Sequence, residues 1–356
     1  MRYAAIAIAL ALGAAQAFAQ LSPPSVKPTA GPWDSGAGFQ FDLKKKKSKK
    51  TRQSLSGLAC TRDATQQRIC LMVFDEGAQA RYAYVRENSL VIDAEPVLFR
   101  AIEGELDAEA AATDGRYFYV TGSHSAKRSD CASNPDSRHV IRFRLDPATG
   151  RALRSPPDAA AGTLVDYADS GRLWQIMQSQ PALRAHVGER QCLGSGQQGI
   201  NIEGLAVQDG RLYFGLRGPV IQGAAMVLAV DADAFFNGGD PKTTVTRIAL
   251  GEGRGIRDMV AVKTGFLLLA GPDDDAASQG VAWTVSLWDG KYSPNVVQPK
   301  RLAALDISGV KLRKCDAQTK PEALTVLEET PQAYKLLVLS DGMCDGGPLT
   351  FTIPKR

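Results

Sequence analysis

The chain has 356 residues, 44% of them apolar and 22% charged, with 34 glycines, six cysteines and three histidines. That is ample material for a core, which excludes a disordered chain and a mini-fold held together by disulfides alone. A formal charge of +4 raises the question of an acidic partner, and the position of the charge along the chain answers it.

The first residues read as a secretory signal. Arg2 supplies a positive start, Ala4 to Ala15 an apolar stretch, and Ala17-Phe18-Ala19 a cleavage site before Gln20. The expected organisation is a signal peptide over 1–19, an N-terminal extension over 20–37 and a single domain over 38–356. No later run reaches the roughly 18 apolar residues that a membrane-spanning helix needs. A periplasmic or secreted monomer is expected.

Lys44 to Lys47, Lys49, Lys50 and Arg52 then place seven positive charges within nine residues. Removing those seven and Arg2 from the total of +4 leaves −4 for the remainder, so the body of the protein is mildly acidic. No aromatic residue interleaves the tract and the protein is exported, so a nucleic-acid partner is not expected. The tract reads as a solvated segment, with an anionic component of the cell envelope as its best candidate partner.

Six cysteines with no ligand-like spacing, in an exported chain, read as disulfides rather than metal ligands. Cys60 ends one apolar run and Cys70 starts the next, so a hairpin would join them, stabilising by roughly 2.5 to 3 kcal/mol. Cys315 and Cys344 flank a similar pair of strands. Cys131 and Cys192 remain, and the repeat phase described next predicts both on the same face.

A short motif recurs: an acidic or polar residue, a small residue and two apolar ones, followed about ten residues later by an apolar strand ending in glycine. Its copies start at Ser56, Glu109, Glu203, Arg257 and Glu322, with spacings of 53, 94, 54 and 65 residues. Periods near 50 with several strand-like runs in each are the signature of propeller blades. The fold class is therefore all-β, a propeller of five recognisable repeats and five or six blades. The 94-residue interval holds either a degenerate sixth blade or a small helical insertion around 169–188, where Leu173, Ile176 and Met177 fall at helical spacing after Ser170. The last repeat is short of an outer strand. Gly38 to Leu43 is the expected donor, which would close the ring and make the Lys tract the link to the first inner strand.

In a propeller the innermost strands start at one mouth of the central channel, so Ser56, Glu109, Glu203, Arg257 and Glu322 converge there. Loops bring Asp75, Glu76, His124, Arg217, Asp273 and Asp341 to the same face. Three carboxylates at one mouth repel unless a cation, a proton or an arginine compensates them. Glu109, Glu203 and Glu322 are candidate ligands for Ca²⁺ or Mg²⁺, both of which take oxygen donors. The alternative is structural, with the acids pairing with Arg217 and Arg257. Arg217, between Gly215 and Gly218-Pro219, is the candidate to bind an anionic group of a ligand. His124 and Glu203 are the catalytic candidates.

The runs Gly215-Leu216-Arg217-Gly218-Pro219-Val220, Asn201 to Ala206, Tyr119 to Ser125 and Ser54 to Ala59 together resemble the bacterial secreted family known as domain of unknown function 3616, over nearly the whole mature chain. That resemblance implies an exported propeller and no known activity. The Glu-Gly-Leu-Ala motif is similar, over a shorter stretch, to esterase-like phytase domains. Two functions follow: binding of a small ligand or cation at the channel mouth, or metal-assisted hydrolysis of a phosphoester or ester.

Overall fold

The computed structural model describes residues 23–35, 45–99, 105–156, 163–194, 198–274 and 280–355. Five antiparallel sheets follow one another along the chain, and the innermost strand of each packs on those of its two neighbours, the last on the first. The inner strands are Leu55–Arg62, Ala108–Thr113, Asn201–Gln208, Arg254–Val262 and Lys320–Glu329, one for each predicted repeat. Runs of Val, Leu, Ile, Phe and Tyr bounded by Gly and Asp turns account for the strands, since such side chains suit a pleated surface buried on both faces.

Five apolar clusters fill the five gaps between adjacent blades, including the gap between blades five and one that closes the ring. The inner strands lie close together. A Cβ on Gly57 would stand 2.6 Å from the Cα of Ala110 in the next blade, so the small residue of the motif is required by the approach of two backbones.

The long interval contains no additional blade among the described residues. Ala168–Ser170 returns to pair with Val140–Asp146 as the outer strand of blade two. The predicted helix follows as Arg172–Ser179, with the Arg172 N–H donating to Ser170 Oγ at 3.3 Å. Leu173, Trp174 and Met177 bury its apolar face between blades two and three.

Closure is achieved by an earlier segment than expected. Gly38 to Leu43 lie outside the described residues, and it is Thr29 to Trp33 that bond the outer edge of the three-stranded fifth blade. Thr29 N donates to Thr350 O at 2.7 Å, Thr350 N to Ala30 O at 2.9 Å and Trp33 N to Pro348 O at 2.9 Å. Ser25–Val26 pairs in parallel with the outer strand of blade four, and Asp34 bridges Ser89 on blade one. One strap thus crosses three blades and sinks Trp33 into the gap between blades five and one. The edge that an open sheet would expose is covered.

The Lys-rich tract is not a free solvated segment over its described part. Lys45–Arg52 is a helix leading into the first inner strand. Its lysines are mostly exposed, but Arg52 grips the buried Asp345 with two N–H groups, at 2.8 and 2.6 Å, and the Gln53 side chain donates to the carbonyl of Cys315. Residues 1–19, expected to be a signal peptide, lie outside the described residues. No helix among the described residues is long and apolar enough to cross a membrane.

All three disulfides form: Cys60–Cys70, Cys131–Cys192 and Cys315–Cys344. Cys60 and Cys70 are direct cross-strand partners, as the hairpin required. Three disulfides fit an oxidising compartment.

Candidate functional site at the channel mouth

Each motif residue occupies the same special place. In all five inner strands the pairing with the second strand slips by one residue, and the residue left over is Ser56, Glu109, Glu203, Arg257 or Glu322. A β-bulge of this kind re-aims one side chain out of the alternation of its strand. Of the five bulged residues, Glu109, Glu203 and Glu322 line the cavity at the channel mouth, whereas Arg257 and Ser56 are buried and do not line it.

The mouth opens into a cavity of about 780 Å³. Among the described residues, nine carboxylates and four cationic side chains line it: Asp75, Glu76, Glu105, Asp107, Glu109, Asp136, Glu203, Glu322 and Asp341, against Lys50, Lys127, Arg128 and Lys320. Ser125, Ser129, Asn134 and Asn201 complete its polar wall.

Two arginines sit behind that wall. Arg257 is fully buried and joins three blades. Its Nε lies 2.6 Å from Glu203 Oε2, off the hydrogen-bonding line, so that contact is an ion pair; Nη2 donates to Glu322 Oε1 and Nη1 to Pro272 O at 3.1 Å. Arg217, 1% exposed, donates to Glu203 Oε1 at 3.0 Å and to Asp273 O at 3.0 Å. The rim residue Arg128 adds a longer ion pair to the same oxygen of Glu203, at 3.7 Å. The structural reading of Glu203 and Glu322 is thus what the geometry displays: both are engaged by guanidinium groups.

Glu109 differs. It is 6% exposed, lines the cavity and makes no hydrogen bond or ion pair among the described residues. Burial first, then the neighbouring Glu203, Asp107 and Glu322, hold its carboxyl well above the usual range. Asp75 is raised well above it too, by burial and then by Asp341, and its Oδ1 has no hydrogen-bond partner. Glu322 is pushed up to about 8, chiefly by burial, against the opposing pull of Arg257. Asp107 is raised by burial despite accepting a bond from Ser123 Oγ.

The structure brings Glu109, Glu203 and Glu322 to one cavity wall, with Asp75, Glu76 and Asp341 beside them, as the repeat phase predicted. It does not gather a metal centre: among the described residues no three His, Cys, Asp or Glu side chains form a group able to hold a metal ion. Glu203 and Glu322, expected as Ca²⁺ or Mg²⁺ ligands with Glu109, are engaged by arginines in this structure. Arg217, expected to meet an anionic group, is not among the described cavity-lining residues and donates to Glu203.

His124 is also absent from the cavity wall. Its ring is fully buried, with Nδ1 donating to Gly122 O at 3.0 Å and Nε2 enclosed without a partner. Burial lowers it to about 4, so it is neutral in the folded protein and cannot exchange protons with a substrate in the cavity. The unfolded chain takes up a proton near pH 6.5 and the folded chain does not, so stability rises with pH between about 4 and 6.5. Replacing His124 by Asn, which tolerates the left-handed backbone there (φ 55°), should remove about 3 kcal/mol of acid sensitivity. The check is the difference between wild-type and variant unfolding free energies at pH 7 and pH 4; a constant difference would contradict it.

Cavity residues that sequence reasoning missed include Lys50, Glu105, Asp107, Arg128, Asn201 and Lys320. Arg128 belongs to the loop after the second strand of blade two, which the Cys131–Cys192 bond ties to the approach of blade three, on the mouth face as predicted. Asp107 immediately precedes an inner strand, so its place beside a motif residue was the one available signal.

The structures that match are distant. A calcium-binding regucalcin from Agrobacterium tumefaciens is 11% identical, with 94% of this chain and 97% of that chain covered, at a TM-score of 0.40. A GH43 endo-arabinanase from Bacillus licheniformis is 11% identical, covering 90% and 96%, at 0.38. An exo-1,5-α-L-arabinanase from a bovine ruminal metagenomic library is 10% identical, covering 84% and 92%, at 0.42. Scores this low support no inference about activity. No curated protein matches the chain. The likeness to esterase-like phytase domains is not supported. The family model described as "Protein of unknown function (DUF3616)" matches residues 87–148 and 148–346, most of the chain. The chain therefore belongs to the DUF3616 family.

Proposed function

We propose that this protein binds a small cationic ligand in the acidic cavity at its channel mouth. The observation that supports the reading is Glu109: a buried carboxyl without a partner, facing a cavity where carboxylates outnumber cations. Counting Arg217 and Arg257 behind the wall, six cations face nine carboxylates. Such an excess is relieved by protons or by a bound cation, and burial with the neighbouring carboxylates raises Glu109 and Asp75, which favours the protonated form of each where no cation is bound. The hydrolase reading has less to support it: His124 and Arg217 are outside the cavity wall, and Glu203, its other catalytic candidate, lines the cavity but is engaged by Arg217 and Arg257. An exported protein, periplasmic or secreted, with this site would act as a binding protein.

A cation that binds must displace protons from these acids, so affinity should rise with pH. Glu322, pushed up to about 8, gains charge as pH rises toward 8, and Glu109 and Asp75, raised by burial and neighbouring carboxylates, gain theirs above the usual carboxylate range; each contributes attraction only when ionised. Calorimetric titration with primary amines, Ca²⁺ and Mg²⁺ at several pH values tests this. The expected result is tighter binding of at least one cation at higher pH and lower salt, weakened about tenfold by Glu109→Gln, the scale of one charge-assisted hydrogen bond. Binding that weakens as pH rises, or no binding by any cation, would overturn the reading.

A further inference from the structure

Resting on that reading, we propose that the ligand is an amino sugar: a polyhydroxylated molecule carrying two or more protonated primary amines. Three observations converge on this class.

The acids are distributed rather than gathered. Glu105 is exposed and Glu76 partly exposed at the rim, whereas Glu109 is 6% exposed at depth, and no three of them form a metal-binding group among the described residues. A compact divalent ion needs several oxygens within about 2.6 Å of one point. Charges spread through about 780 Å³, within the usual range for an organic ligand, suit a molecule that carries its own charges at separate points.

The rim already holds a primary ammonium. The Lys50 Nζ of the basic helix pairs with Glu76 Oε1, and this contact raises the Lys50 pKa. Lys50 is 67% exposed on its other sides, so it can swing away. It stands where one ammonium of the ligand would be, and Glu109, which has no cation of its own among the described residues, is the deeper position for a second.

The wall selects hydroxyls over methylenes. Among the lining residues the only apolar side chain is Ala126; Ser125, Ser129, Asn134 and Asn201 present hydroxyl and amide groups. Asn201 is 1% exposed and its Oδ1 has no hydrogen-bond partner, which leaves a buried acceptor to be satisfied. An aliphatic polyamine would set its methylenes against polar walls, whereas a sugar framework brings donors and acceptors to them.

The test is calorimetric titration of the full mature chain, at pH 7.5 and low salt, with four probes: glucosamine disaccharide, its N-acetylated counterpart, spermidine and CaCl₂. The diamino disaccharide should bind at least about tenfold more tightly than each of the others. Glu109→Gln and Asp75→Asn should each weaken it, and Lys50→Met, which removes the internal competitor from an exposed site, should tighten it. Equal or tighter binding of spermidine or CaCl₂ overturns the amino-sugar assignment while leaving the cation site standing; equal or tighter binding of the uncharged N-acetylated sugar overturns the assignment and the cation reading together. Silence from every cationic probe overturns both. Disaccharide binding that neither Glu109→Gln nor Asp75→Asn alters would place the ligand elsewhere and also refute the assignment.

Discussion

Arg257→Met lowers the unfolding free energy by about 3–5 kcal/mol, the scale for removing one partner of a buried ionic group. Arg257 has no exposed surface and ties the Glu203 carboxylate of blade three to the Glu322 carboxylate of blade five from its own place in blade four. Without it two buried carboxylates lose their main counter-charge while keeping the desolvation that burial imposes. The same physics predicts a rescue. In Arg257→Met combined with Glu322→Gln, Glu322 carries no charge and Glu203 keeps its pair with Arg217, so most of the lost stability returns. Arg257→Lys should recover only part, because an ammonium cannot reproduce the fork that reaches Glu203, Glu322 and Pro272 O together. Urea unfolding midpoints of the four proteins decide the matter. A double variant no more stable than Arg257→Met would show that packing, not charge, is what the arginine supplies.

Loss of the Cys131–Cys192 bond, by changing both residues to Ala, should cost about 4 kcal/mol in the loop-entropy description, against about 3 for Cys60–Cys70. The first closes 61 residues of chain and the second ten. The two losses also differ in kind. Cys60 and Cys70 already face each other across a ladder of backbone hydrogen bonds, so the hairpin persists without them. Cys131 and Cys192 join two loops that pair little otherwise, and the first of these carries Lys127, Arg128 and Ser129 to the cavity. The Cys131/Cys192 variant should therefore lose cation affinity as well as stability, whereas the Cys60/Cys70 variant should lose stability alone. Thermal unfolding and calorimetric titration of both check this, and equal costs with equal affinities would refute it.

Much of the fold was legible because a propeller repeats its grammar. The five motif starts identify the five inner strands, and the helix at Arg172–Ser179 follows from Leu173, Ile176 and Met177 at helical spacing. The part played by Thr29 to Trp33 was not legible, for a definite reason. Thr29 to Trp33 contain Gly and Pro and have no strand periodicity; their register is set by Thr350 and Pro348, more than 300 residues away. The choice between five and six blades was open for a similar reason, since the outer strand Ala168–Ser170 is three residues long and gains its identity only from pairing with Val140–Asp146.

The same division holds for the site. Sequence by itself determined that the chain is built of repeated antiparallel blades, that six cysteines pair, and that Glu109, Glu203, Arg257 and Glu322 share one mouth. Those are consequences of local pattern and phase, and a phase is the same in every copy. Which of these acids is neutralised was decided only by the tertiary structure. Glu203 meets Arg217 from 14 residues on and Arg257 from the next blade, Glu322 meets Arg257 across 65 residues, and Glu109 meets neither. Equivalent positions become unequal because a closed ring gives each one different neighbours, and electrostatic pairing acts over a few ångströms in space whatever the distance along the chain.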